Sequence, residues 1–111
     1  AAHMGDLPET LLEDAPLANM TVDGFTFTPI TTVTDLVQEG ALMAHCVASY
    51  AGRILSGICV VCRVEGAWRG TLEATWAGSY WRTAQLRGRL NSVAPPEAVL
   101  AAEAYLERHT Q

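Results

Sequence analysis

The stretch Met43-Ala44-His45-Cys46-Val47-Ala48-Ser49-Tyr50 sets an imidazole, a thiol, a hydroxyl and a phenol close together in an otherwise apolar run. Polar groups beside a core need partners, so such a set has a structural or chemical purpose. His45 is suited to general acid–base work and Cys46 to nucleophilic attack, which makes them the candidate catalytic residues. They do not form a dyad with each other, because adjacent helical residues diverge by about 100°. A base for Cys46 must come from Glu73 or from His109. The plainer reading of Cys46 is a packed residue touching Tyr50, four positions on. Plain readings of His45 and Ser49 are hydrogen-bonded structural groups.

A second cluster follows in Gln85-Leu86-Arg87-Gly88 and Asn91. Gln and Asn each donate and accept, and Arg presents a planar fork of donors. This set suits a base edge, a carboxylate or a phosphate, and it equally suits a loop that satisfies its own backbone. Tyr50, Gln85, Arg87 and Asn91 are therefore the candidate ligand-binding residues. Cys59-x-x-Cys62 has a metal-like spacing, but residues i and i+3 of a strand point to opposite faces and cannot close on one ion. No metal and no other cofactor is expected. Trp68, Trp76, Tyr80 and Trp81 read as core or cross-strand pairs. A stacking platform for single strands would need exposed rings beside Arg69 or Arg82.

These residues need elements to position them. Residues 25–28 alternate apolar and polar and read as a short strand ending at Pro29. Thr32 precedes Asp35 by three, close to a capping box, and Gly40 stands where a glycine would close a helix of about two turns. The main helix is expected over 41–55, with Met43, Ala44, Val47, Ala51, Ile54 and Leu55 in one apolar arc and His45, Ser49 and Arg53 in a polar stripe. Residues 58–62 read as a buried central strand. Residues 71–76 and 80–87 form a hairpin whose register stays open. A two-residue loop pairs Glu73 with Arg82. A three-residue loop pairs it with Thr83 and turns Gln85 and Arg87 onto the Thr71 and Glu73 face. Pro95-Pro96 opens a final helix to about residue 108. The fold class is α+β: an antiparallel sheet of three to four strands with a long helix packed on one face, and a C-terminal helix.

At 111 residues, half of them hydrophobic, the chain can bury one core. Ala1-Ala2-His3-Met4-Gly5 reads as a cloning remnant; with an irregular arm it fills residues 1–24, and 25–111 form a single domain. The net charge of −5 is unevenly spread. Residues 1–52 hold seven acids and neither Arg nor Lys, while 53–89 hold six Arg against two acids. The bland reading is a solvated face; the functional one is an Arg-bearing sheet face that meets an anion. An odd three cysteines without a secretion signal fit a cytoplasmic location. No apolar run reaches the length of a membrane span, so no membrane partner is expected.

The ordered pieces Glu39-Gly40, His45-Cys46-Val47, Tyr50, Thr71-Leu72-Glu73, Gln85-Leu86-Arg87-Gly88 and Asn91 resemble the signature of the PcfJ-like family. The resemblance runs from about Phe25 to Asn91. It implies a module of mobile genetic elements, plasmids and phages, whose biochemical role is poorly defined. Members often carry a helical region ahead of this module; no such region is expected in this sequence. Three functions follow as expectations. The first is a binding module whose polar pocket uses His45, Tyr50, Gln85, Arg87 and Asn91 to hold a nucleotide or a nucleic-acid element. The second is a small enzyme using Cys46 or His45. The third is an interaction domain with no small-molecule site, acting among other mobile-element proteins.

Overall fold

The computed structural model describes residues 7–44 and 48–109, with side chains from 50 onward in the second stretch. Five strands form one antiparallel sheet in sequence order: β1 (Met20–Val22), β2 (Phe25–Pro29), β3 (Cys59–Glu65), β4 (Gly70–Trp76) and β5 (Trp81–Arg87). Helices α1 (Val33–Met43) and α2 (Ala48–Leu55) lie between β2 and β3 in sequence, and α3 (Pro96–Glu107) follows β5. The α+β class agrees with the sequence; the expected three to four strands become five.

The additional strand comes from the segment expected to be an irregular arm. Met20-Thr21-Val22 turns at Asp23-Gly24 and pairs with β2, Val22 opposite Phe25 and Met20 opposite Phe27. Both turn residues have positive φ, 51° and 84°. This is the tight hairpin turn whose twist matches that of the strands it joins, and Asp-Gly is its characteristic pair. The hydroxyls of Thr21 and Thr26 meet across the pair at 2.8 Å. Leu11 and Leu17 of this segment are also buried.

The expected 41–55 helix is likewise corrected. Helix α1 begins where the capping signal put it, with Thr32 Oγ1 accepting the Asp35 N–H at 3.1 Å. It then runs through Gly40, which is buried inside it and does not cap it. The stop comes at Ala44, in the left-handed conformation at φ 56°, whose N–H bonds back to the Gly40 carbonyl. The boundary between the two expected helices thus moves from Gly40 to Ala44, and they lie on different strands: α2 on β3, α1 near β4 and the turn after β5.

The sheet separates two apolar clusters. On one side Phe27 stacks on Tyr105 of α3, ring centroids 4.4 Å apart and nearly parallel. Val60, Cys62, Val64, Leu72 and Leu86 complete this side with the small residues Ala98, Ala101 and Ala102 of α3. Tyr105 Oη donates to the Ala18 carbonyl at 2.7 Å, and His109 Nε2 accepts the Ala18 N–H at 3.1 Å, so α3 also pins the arm. On the other side Ile30, Leu36, Ala51, Ile54, Cys59 and Val61 pack under α1 and α2.

Cys59 and Cys62 thus belong to opposite faces, as strand geometry requires. Cys62 sits 3.8 Å from Tyr105 Oη and Cys59 faces the helices. Burial pushes the Cys59 thiol up to about 11, helped by the nearby Glu73 carboxylate, and pushes Cys62 up to about 12. The native state therefore holds two protons that the unfolded chain gives up from about 8.5 upward, so stability falls as pH rises from there toward the folded values. Iodoacetamide at pH 8 should leave Cys59 and Cys62 unmodified in the native protein and label both in denaturant, as read by peptide mass mapping. Rapid labelling of either thiol under native conditions would contradict this burial.

Candidate functional site

Along β4 the residues Thr71, Glu73 and Thr75 share one face, and that face looks toward α1 and α2 rather than α3. A strand face under a helix layer is normally apolar, so its polar content needs an account. Glu39 of α1 supplies the first part. It is 3% exposed, and its carboxylate receives both guanidinium ends of Arg69, one at 2.9 Å, together with the Thr71 hydroxyl. Arg69 Nη1 also donates to the Gly70 carbonyl at 2.6 Å. The hydrogen bonds that Arg69 donates to Glu39 raise its pKa further, so the guanidinium is a permanent cation here. Glu73, 4% exposed, faces Arg53 Nη2 of α2 in an ion pair that lacks hydrogen-bond alignment. Thr75 Oγ1, next along the face, is buried without a hydrogen-bond partner among the described residues.

The β4–β5 hairpin brings the second cluster onto this same face by neither register left open in the sequence. Trp76 pairs with Trp81 around a four-residue loop closed by the Ala77 N–H on the Tyr80 carbonyl at 2.8 Å. Ala74 pairs with Thr83; then Ala84 is skipped and Glu73 pairs with Gln85, Leu72 with Leu86, and Thr71 with Arg87. The extra residue is a β-bulge, which shifts alternation by one. Gln85 and Arg87 consequently stand beside Glu73 and Thr71, both exposed at the sheet edge.

Tyr50 of α2 reaches across to this edge, and its hydroxyl donates to Gln85 Oε1 at 3.4 Å. After β5, Gly88 is buried, and a β-carbon there would come within 2.5 Å of Ser92 Oγ and 3.2 Å of the Trp68 ring. The same ring covers Gly70, so Trp68 clamps the start of β4 to the end of β5 over two residues without side chains. The turn Arg89–Asn91 then places Leu90 and Asn91 at φ 58° and 61°. Arg89 Nε donates to the Leu42 carbonyl at 3.3 Å, satisfying one of the orphan acceptors at the end of α1.

The structure therefore joins Tyr50 to Gln85 and sets Arg87 on their face. Asn91 sits beyond Gly88 on an exposed turn, with Arg89 as its neighbour. His45 and Cys46 lie outside the described residues. Sequence reasoning missed the pairings Glu39–Arg69 and Glu73–Arg53, although Arg53 and Glu73 were separately placed on polar faces. The signal was available: the alternation of β4 sends Glu73 inward, and six Arg crowd residues 53–89.

Breaking a buried pair from one side leaves an uncompensated charge, at a cost of about 3–5 kcal/mol. Arg69→Ala should therefore lower stability by roughly 3 kcal/mol, and Glu39→Met with Arg69→Met should recover much of that loss. Urea unfolding checks this. A single-variant loss below about 0.5 kcal/mol, the level of an exposed pair, would refute the role given to Arg69.

Comparison with known proteins bears on the same residues. No curated protein and no solved structure matches the chain. The family model described as PcfJ-like protein matches residues 9–100, a span that takes in Glu39, Tyr50, Thr71, Glu73, Gln85, Arg87, Gly88 and Asn91. With most of its length covered by that match, the chain belongs to the PcfJ-like family.

Proposed function

We propose that this chain is a binding module that holds an anionic ligand, a nucleotide or a nucleic-acid element, at the edge formed by Tyr50, Gln85, Arg87, Arg89 and Asn91. The observation that carries this reading is how the charges are distributed. The two acids buried beneath this face, Glu39 and Glu73, are each met by their own arginine, Arg69 and Arg53. Arg87 and Arg89 remain exposed at its rim, with Gln85 before them and Asn91 after them in the chain, both exposed as well.

A ligand meeting this edge finds two forks suited to phosphate oxygens and two amides that both donate and accept. Tyr50 contributes a half-buried ring whose hydroxyl orients the Gln85 amide. Binding should be local, because the chain as a whole carries −5 and repels phosphates over most of its surface.

Fluorescence anisotropy with a short single-stranded oligonucleotide tests the reading. Two arginine–phosphate contacts give a salt slope near −1.4, and Arg87→Ala or Arg89→Ala should each reduce it by roughly 0.7. Random duplex DNA should bind weakly at physiological salt. No binding of single strands or mononucleotides at low salt would remove the proposal, and so would a slope unchanged in both variants.

A further inference from the structure

Strand β5 ends the sheet, so one row of its backbone groups faces outward. Among the described residues only Val93 pairs with that row, opposite Arg87. The bulge at Ala84 interrupts it, which leaves a short open stretch from Arg82 to Gln85. Beside this stretch, between β5 and α3, lies a groove of about 420 Å³. Tyr80, Trp81 and Thr83 form one wall and Glu103 and Glu107 the other, with buried Leu106 as the floor. Arg82 alternates with Trp81 and Thr83; it pairs with Thr75 and sends its side chain to the α1 and α2 face. Glu103 and Glu107 are one turn apart on α3 and both exposed. Among the described residues neither has an ion-pair partner. The groove is therefore negative, with an apolar floor and one aromatic wall.

We infer that an extended segment of another protein adds to the β5 edge and sets an arginine side chain in this groove. Charge selects the occupant. A guanidinium meets two carboxylates there and stacks on the aromatic wall, while its methylene stem covers Leu106. The same glutamates oppose an anion. Alternation then fixes the neighbours of that arginine. They point to the other face of the sheet, where one of them stands opposite Arg82. An acid fits that position and a base does not, so the matching sequence is Glu-Arg-Glu between β-formers. A second copy of this chain does not supply it. Paired antiparallel, as the strands of this sheet are, its β5 would offer Trp81 and Thr83 to the groove and keep Arg82 on the far face. The open stretch is short, so main-chain pairing alone is weak and the arginine carries the specificity.

Anisotropy of the fluorescein-labelled peptide Thr-Val-Glu-Arg-Glu-Val-Thr at constant ionic strength tests this. Binding should be saturable, and glutamine in place of the peptide's arginine should weaken it at least about tenfold. Glu103→Gln with Glu107→Gln should cause a similar loss and remove the difference between the two peptides. Arg82→Glu should weaken the Glu-Arg-Glu peptide and favour a Lys-Arg-Lys counterpart. All three positions are exposed, and far-UV circular dichroism checks that the variants fold. N-methylation of the peptide at alternate residues reads the backbone. One alternate set should abolish binding and the other should spare it, because only every second N–H of an added strand faces its neighbour. No saturable binding, equal affinity of the arginine and glutamine peptides, or equal effects of the two methylation sets would overturn the inference. So would full competition by arginine amide at the peptide's own concentration, or a dimer in sedimentation velocity that the peptide dissociates.

Discussion

A carboxylate with 3% exposure, Glu39, determines how the helical layer sits on the sheet. Its charge is tolerable there only because Arg69 and Thr71 supply donors to both oxygens. Glu73 repeats the arrangement with the partners reversed: the acid is on the strand and the base, Arg53, on the helix. That reversal carries information. If α1 and α2 exchanged places over β4, Glu39 would approach Glu73 and Arg53 would approach Arg69. The two buried acids would then face each other where water is excluded, without their arginines. The two pairs thus select one placement of the helices among those that apolar packing alone would accept.

The bulge at Ala84 follows from a constraint of parity. Trp81 and Leu86 both pack toward the α3 side of the sheet, yet they are five residues apart. An unbroken strand sends residues an odd number apart to opposite faces. One extra residue resolves this, and the same residue moves Gln85 and Arg87 to the helix side. Without it those two polar groups would enter the apolar layer that holds Leu72 and Tyr105. Core packing of β5 and exposure of its polar edge are therefore one decision, made at Ala84.

Much of the architecture could be read from the sequence because single residues announced it. Thr32 before Asp35 gave the start of α1, Pro95-Pro96 the start of α3, and the continuous run around Cys59 and Cys62 the central strand. What stayed hidden depended on tertiary contacts. Gly40 looks like a helix stop, but it is buried within α1, which runs on to Met43. The stop at Ala44 has no local signature, since alanine is the best helix former and reaches the left-handed region only against a steric cost. Strand β1 was legible and overlooked: Asp23-Gly24 stands between alternating Met20-Thr21-Val22 and Phe25-Thr26-Phe27. The candidate site was legible as residue types but not as a geometry. Tyr50 meets Gln85 only after two helices and a bulged hairpin have taken their places.

Backbone strain in this domain has an uneven distribution. Apart from Asp23 in its hairpin turn, the described non-glycine residues with positive φ are Ala44, Leu90 and Asn91. Ala44 follows the end of α1, and Leu90 and Asn91 form the turn that packs against that same end through Arg89 and the Leu42 carbonyl. Left-handed geometry at such residues costs of order 1 kcal/mol each and persists only where surrounding contacts over-determine it. Here the fixing contacts are visible: the Gly88 N–H on the Ser92 carbonyl at 2.8 Å, Trp68 over Gly88, and Arg89 on Leu42. Leu90 gains little from this geometry, since it remains 68% exposed. What the geometry does achieve is to hold Arg89 and Asn91 beside Arg87 at the mouth of the polar face. Strain that does not improve packing yet places hydrogen-bonding side chains at this edge is in keeping with the binding role proposed for it.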